Sequence, residues 1–305
     1  MKFKKLLLLL IIKIFILSLT SFGLSKHQKR KIKFYDKVIV ALSKVANKDE
    51  IIKLILNRNV RIRQKLIFIN LNQPHQNAYF NNSLKRKYVL MGKRFLNKHL
   101  TTFKKVEKQY LVDREVILAI LYVETNFKPA KAKVNVFNAY SSLMFADYPL
   151  FLKHNLIKLK RKLKRNNRKL TKAKFEVLFK MEEAKLIEKS KRKAEWATNE
   201  LIALYKLSKK MKWHILNIKG SFAGAIGYPQ FIPSSYLNYA VDGDNDNFVD
   251  LYNIKDSIAS VANYLKAQGY QKDNLESQKN AIHHYNKSWD YVNFVLDYAK
   301  LLRKR

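Results

Sequence analysis

Apolar residues recur at three- and four-residue spacing along most of the chain, and strict alternation of apolar and polar positions is scarce. The pattern predicts a mainly α fold with no internal repeat. Val38, Leu42 and Val45, then Ile51, Ile52 and Ile55, mark two short helices within 34–65, with Asp49 placed to cap the second. Residues 70–82 are rich in Asn and Gln around Pro74 and read as a loop. Residues 84–110 form another amphipathic stretch. Asp113 is placed to cap the next helix, which Glu115 and Val116 open and Pro129 ends. Val116, Ile120 and Glu124 fall at i, i+4 and i+8, so one carboxylate shares a stripe with core residues.

Further on, 153–193 holds no Gly or Pro, and Leu152, Leu156, Leu159 and Leu163 follow a 4-3-4 spacing. Val177, Met181 and Ala184 repeat it after Asn166 and Asn167. This predicts a helical hairpin over 152–195. Residues 220–233 read as loop and turn. Asp256 is placed to cap a helix whose face is Ile258, Val261, Ala262 and Leu265, and Gly269 stops it. A last helix lies within 283–302.

Charge changes the picture. Lys and Arg number 61 against 23 Asp and Glu, a formal charge of +38. Such a field attracts polyanions: nucleic acid, anionic lipid or an acidic wall polymer. Seventeen of the cations, against four Glu, fall in 153–193, as either a solvated arm or a docking surface for an anionic partner. The apolar fraction of 48% is ample for a core, in one large domain or two small ones. There is no cysteine, which excludes disulfides, thiolate metal sites, a Cys nucleophile and lipid attachment through an N-terminal Cys.

Residues 1–23 read as a signal peptide or N-terminal anchor. Lys2, Lys4 and Lys5 precede Leu6–Ile12, and 14–19 continue the apolar run after Lys13. Ser21 and Gly23 offer small residues two apart before Leu24. A central Lys costs roughly 2.5–3.5 kcal/mol on insertion, which favours cleavage over a stable span. The chain is expected in the periplasm or cell envelope.

Three patterns carry chemistry. A carboxylate held among apolar side chains resists ionisation, so Glu124 can donate a proton near neutral pH. The alternative is a helix-end Glu paired with a lysine. Gly220, Gly224 and Gly227, three of the chain's seven glycines, permit close backbone approach to a ligand. Beside them Ser221 and Gln230 offer hydrogen bonds, and Phe222, Tyr228 and Phe231 offer flat faces suited to sugar rings. The alternative is an ordinary glycine turn with core aromatics. Asp242, Asp244 and Asp246 take positions 1, 3 and 5 of a calcium loop, the Phe248 carbonyl position 7 and Asp250 position 9. Asn247 replaces the usual Gly and Asn253 the usual bidentate Glu, which lowers the expected affinity. A solvated Asn/Asp turn is the alternative. Tyr285-Asn286 says nothing by itself.

Together these segments resemble lytic transglycosylases of the membrane-bound lytic murein transglycosylase B type. The resemblance rests on 115–127 (EVILAILYVETNF), 219–236 (KGSFAGAIGYPQFIPSSY), 239–250 (YAVDGDNDNFVD), 260–266 (SVANYLK) and 285–288 (YNKS), in the family's order. It implies a lysozyme-like domain over 24–305 with the hairpin as an insertion. It implies that Glu124 is the sole acid and base, cutting between N-acetylmuramic acid and N-acetylglucosamine of peptidoglycan without water and closing a 1,6-anhydro ring. No second carboxylate matches, unlike two-carboxylate glycosidases. Ser221, Gln230, Tyr285 and Asn286 match residues lining the sugar site, and the calcium loop maps to Asp242, Asp244, Asp246, Phe248 and Asp250. The short 269–285 segment implies loss of a small β-rich subdomain found in some relatives. A non-catalytic wall-binding protein on the same fold is the competing expectation. Nucleic-acid binding rests on charge alone, and the export signal argues against it.

Overall fold

The computed structural model describes residues 23–72, 84–128 and 132–304. The leader at 1–22, most of the expected 70–82 loop, and Pro129 lie outside the described residues. No described helix is long and apolar enough to cross a membrane. Contacts divide the chain into two compact units, with the boundary between Ile62 and Arg63.

The first unit holds α1 (Lys26–Phe34), α2 (Asp36–Leu42) and α3 (Lys48–Leu56). Val38, Leu42, Ile51 and Ile55 are buried, as their spacing predicts. The cap of α3 is Asn47, which accepts the Glu50 N–H at 2.9 Å. Asp49 sits inside the first turn instead, where its charge suits the helix dipole.

The second unit begins with α4 (Gln64–Leu71), α5 (Arg86–Lys98) and α6 (Leu100–Tyr110). The single stretch expected over 84–110 is thus two helices, broken at His99. At the centre is α7 (Arg114–Thr125), with 116–121 entirely shielded from solvent. A helix apolar on all sides must be covered on all sides. Here α5, α6, α12 (Ile254–Ala267) and α14 (Trp289–Arg303) cover it. Asp113 holds the cap position of α7, but its side chain bonds elsewhere: it accepts the Tyr270 hydroxyl at 2.7 Å and pairs with Arg303 at 3.1 Å.

A second layer is built on α8 (Val136–Leu143), α10 (Lys172–Lys210) and α11 (Pro233–Tyr239). Buried Glu200 of α10 accepts the Ser234 N–H at 3.0 Å and its hydroxyl at 2.7 Å, so the first turn of α11 is capped by a carboxylate from another helix. Two short strands, β1 (Val134–Asn135) and β2 (Lys219–Gly220), pair antiparallel with Val134 opposite Gly220. Residues 275–285, in the segment read as shortened, form α13 (Leu275–Tyr285).

The basic hairpin consists of α9 (Pro149–Asn166) and the first half of α10. Leu152, Leu156, Leu159 and Leu163 are half-buried, as predicted. The apolar stripe expected on the partner helix is corrected. Val177 is 61% and Met181 56% exposed, and Ala184 is exposed too. Phe175, Leu178 and Phe179 are half-buried instead, and Lys160 of α9 reaches across to the Phe179 ring at 4.6 Å and to Glu176 at 3.3 Å. Two phenyl rings one turn apart bury more surface than Val and Met, so they take the inner face. Nor does the second arm end at 195: α10 runs unbroken to Lys210, burying Ala194, Ala197, Leu201 and Leu204.

The cap of α12 is Asn253, which accepts the Lys255 N–H at 2.9 Å. Asp256 lies in the first turn and is fully buried. Gly269 has φ +83° and closes that helix as expected.

Candidate functional site

Glu124 stands in the last turn of α7. The helix ends at Asn126, which turns left-handed at φ 53° while its N–H bonds the Tyr122 carbonyl at 2.7 Å. Phe127 is also left-handed, at φ 60°, a costly conformation for a bulky residue. Its ring stacks on Phe95 at 4.2 Å, and that packing holds the turn in place. Thr125 donates to the Leu121 carbonyl at 3.2 Å and to the Tyr228 carbonyl at 3.3 Å, tying the helix end to the glycine loop.

The loop leaves β2 and folds back at once. The Ser221 N–H bonds the Ala225 carbonyl at 2.9 Å, and the Ser221 hydroxyl oxygen accepts the N–H groups of Ala223 at 3.2 Å and Ala225 at 3.1 Å. Gly224, at φ +83°, lies so close to the Tyr140 ring that a Cβ would stand 2.4 Å from it. Gly227, at φ +75°, lies against the Leu251 backbone, where a Cβ would stand 2.3 Å from the carbonyl oxygen. Gln230 is left-handed as well and its side-chain amide donates to the Gly227 carbonyl at 2.7 Å. Ser221 and Gln230 thus shape the loop, and both are half-buried. Phe222 is half-buried, and its carbonyl accepts from the buried Asn70 amide at 3.1 Å.

The structure brings Glu124 together with a residue that the sequence reading missed. Tyr291, in the first turn of α14, donates its hydroxyl to Glu124 Oε1 at 2.8 Å. Its ring lies parallel to that of Tyr285 at 6.5 Å, and the Tyr285 hydroxyl donates to the Pro229 carbonyl at 2.6 Å. Tyr264 packs edge-on against Tyr285 at 4.9 Å. Asn286 follows as the extended, half-buried residue closing α13. A Tyr six residues after Tyr285 gave no local signal; only the fold aims it at position 124.

Burial pushes the Glu124 carboxyl up to about 7, against the lowering effect of the Tyr291 hydrogen bond. The negative end of the α7 dipole acts in the same direction as burial. The residue is half-buried and not fully closed off from solvent, so a ligand can reach it. Burial and the nearby Glu124 charge push both tyrosine hydroxyls well above their ordinary range, so they remain donors. Replacing Tyr291 by Phe removes a bond that favours the carboxylate. The expected result is a higher Glu124 pKa and an alkaline limb of activity displaced to higher pH. A pH–rate profile checks it, and an unshifted limb would remove Tyr291 from the site.

In the acidic island, Asp242 Oδ1 accepts the N–H groups of Asp244 at 3.2 Å and Asn245 at 2.6 Å, and Oδ2 that of Asn247 at 2.8 Å. Asn245 and Asn247 are left-handed, at φ 65° and 68°, as Asn tolerates. Carboxylate oxygens of Asp242, Asp244 and Asp256 lie within 4.8 Å of one another. Asp256 was not among the residues the loop spacing selects. Asp244 Oδ1 is buried without a hydrogen-bond partner, while Oδ2 accepts from Asn253 at 2.8 Å. An orphaned buried carboxylate oxygen between two other carboxylates fits a hard cation. Asp246 and Asp250 are turned to backbone N–H groups, of Phe248 and Tyr252, each at 2.8 Å. Phe248 is 44% exposed, with its ring 6.2 Å from Trp213. A cavity of about 610 Å³ opens beside this island, lined by Lys212, Trp213, Lys219, Tyr236 and Tyr252; Glu124 is not part of its lining.

The chain is similar to known transglycosylases. Over 184 residues the chain is 31% identical to membrane-bound lytic murein transglycosylase B of Escherichia coli, covering 60% of this chain and 39% of that protein. The match thus spans well under half the length of that relative. The Escherichia coli lytic transglycosylase Slt35, solved in complex with calcium, superposes with a TM-score of 0.64 at 21% identity, over 88% of this chain and 91% of that one. SltB3 of Pseudomonas aeruginosa, solved with NAG-anhNAM-pentapeptide, gives 0.65 at 18%, over 89% and 79%. The transglycosylase SLT domain matches residues 34–279 of the 305. The chain, with its apolar Glu124 helix set against the glycine loop and Tyr291, belongs to the transglycosylase SLT domain family.

Proposed function

We propose that this chain is a peptidoglycan lytic transglycosylase with Glu124 as its acid and base. The observation that carries the reading is one carboxyl, held by burial near neutral pKa and oriented by Tyr291, at a helix end that Thr125 ties to the glycine loop. Protonated Glu124 gives its proton to the oxygen linking N-acetylmuramic acid to N-acetylglucosamine, and the C1–O4 bond breaks. The carboxylate then takes the proton of the muramyl C6 hydroxyl as O6 bonds C1. No water is consumed, and the acid is regenerated. Tyr291 fixes the carboxyl rotamer and stabilises its charged form between the two steps. The sugar rings lie against Phe222, Tyr228 and Tyr285, with Ser221, Gln230 and Asn286 offering hydrogen bonds. Digestion of purified peptidoglycan with mass analysis tests this: anhydro-muropeptides are expected. Hydrolysed products would mean lysozyme-like chemistry, and no release would leave a wall-binding protein.

Calcium is proposed as a structural ion in the 242–250 loop, held by Asp242, Asp244 and Asp256, with the loop positions Asp246, Asp250 and the Phe248 carbonyl as further oxygen donors. Oxygen ligands at alternate positions suit it, and it contributes no step of the chemistry. Binding to the native state alone raises stability by mass action, about 2.7 kcal/mol at a hundredfold excess over Kd. Millimolar calcium is expected to raise Tm, and Asp244→Ala to abolish the rise. An unchanged Tm with calcium and with chelator would make the island a plain turn.

The envelope is the proposed location, and the basic hairpin is proposed to hold the enzyme to an anionic surface there, by charge screened within about 8–10 Å at physiological salt.

A further inference from the structure

The outer face of α10 is not explained by the packing of the hairpin. Val177, Met181 and Ala184 lie within about 60° of one another around the helix axis, at about 100° per residue. All three are exposed, and no described residue covers them. Lys174 and Lys185 border this stripe on one side, Lys180 and Lys191 on the other, and all four are exposed. Glu176, Glu182 and Glu183 lie about 100° or more from Val177, toward the inner face. Only Glu188 falls on the stripe; it ends it, and Arg192 pairs with it at 3.3 Å. The tip between the helices adds Leu170, 38% exposed, between Lys169 and Lys172.

The root of the hairpin is held firmly. Lys189 donates to the Leu71 carbonyl at 2.6 Å, and Lys158 lies 4.1 Å over the Phe68 ring, both on the α4 side. The outward face is therefore carried on helices anchored at their root.

We infer that this face is a membrane-docking surface, and that its partner is an anionic phospholipid bilayer. An apolar stripe edged by lysines matches a headgroup layer in both its parts. The stripe reaches the acyl boundary while the stems of Lys174, Lys180 and Lys191 lie along it and their ammonium groups meet lipid phosphates; the Lys185 ammonium is paired with Glu182 at 2.7 Å. An acidic glycan or a nucleic acid would engage the charge and leave Val177 and Met181 in water. The inference deepens the hairpin's proposed role and is independent of the chemistry at Glu124.

The absence of cysteine makes the test site-specific. Val177→Cys in the full chain accepts one environment-sensitive dye, and Glu183→Cys places the same dye about 120° round the helix, off the stripe. Vesicles of phosphatidylglycerol and phosphatidylethanolamine are expected to brighten the dye at 177 severalfold and the dye at 183 little. Phosphatidylcholine vesicles should do neither. Val177→Ser with Met181→Ser should reduce pelleting with the anionic vesicles on the order of tenfold, as burial of two apolar side chains is lost. Cleavage of soluble glycan fragments should stay unchanged, so failure here would leave the Glu124 assignment standing. A dye at 177 that responds to purified sacculi and not to vesicles would assign the face to the wall. Equal responses at 177 and 183, or self-association without lipid, would also overturn the inference.

Discussion

Glu124→Gln is expected to abolish release of anhydro-muropeptides while the protein stays folded. Gln keeps the shape and can still accept from Tyr291, but it has no proton to give. General acid–base catalysis contributes about 10²–10⁴-fold, and in the proposed mechanism one group serves both steps, so the loss should reach the upper part of that range. The same variant has a stability signature. The Glu124 carboxyl is held at about 7 in the folded protein, above its ordinary 4.5. The folded state therefore binds this proton more tightly, and the group's contribution to stability is fully present below about 4.5. It is lost as pH rises through 7. The Glu124→Gln variant has no such dependence, so its Tm relative to the parent should climb between pH 5 and pH 8. A variant that retains more than about half of the turnover would place the chemistry elsewhere. A Tm difference that is flat with pH would mean that Glu124 titrates normally.

Gly227→Ala should damage both stability and activity. Left-handed backbone alone costs an L-residue about 1–2 kcal/mol. At this position the new Cβ also meets the Leu251 carbonyl oxygen at 2.3 Å. That oxygen cannot yield freely, because it accepts the Tyr228 N–H at 2.9 Å and the Ser257 hydroxyl at 2.9 Å. Tyr228 in turn holds Thr125, next to Glu124. The expected loss is on the order of 3 kcal/mol, or roughly 5–10 °C in Tm, with at least a tenfold drop in rate. Gly269→Ala is the control: φ is +83° there too, but nothing lies within 4 Å of the added Cβ. It should cost only the conformational part. Equal losses at 227 and 269 would mean that the Leu251 contact carries no weight.

The helices were legible in the sequence wherever the apolar period was long and unopposed. The spacing of Val116, Ile120 and Glu124 after Asp113 predicted a helix with the acid on its core stripe, and 116–121 are buried in one. Caps were less legible. Asp49, Asp113 and Asp256 each stand where a capping side chain is common, yet Asn47 and Asn253 cap two of these helices and Asp113 turns to Tyr270 and Arg303. An aspartate has competing partners whenever cations or buried donors are near, and spacing does not record them. The hairpin stripe failed for a related reason. Two apolar faces coexist on α10, one aromatic and one of Val, Met and Ala, and periodicity does not say which meets α9.

The sequence by itself determined the helical class, the acid at the end of an apolar helix, the glycine loop and the alternating acidic loop, since each is a local pattern of residue types. Tertiary structure alone decided that Tyr291 orients Glu124 across 167 positions, that Asp256 joins Asp242 and Asp244, and that Glu200 caps α11. These contacts join elements distant in the chain. Their partners are chosen by which helices pack together, and that choice is made by the whole core.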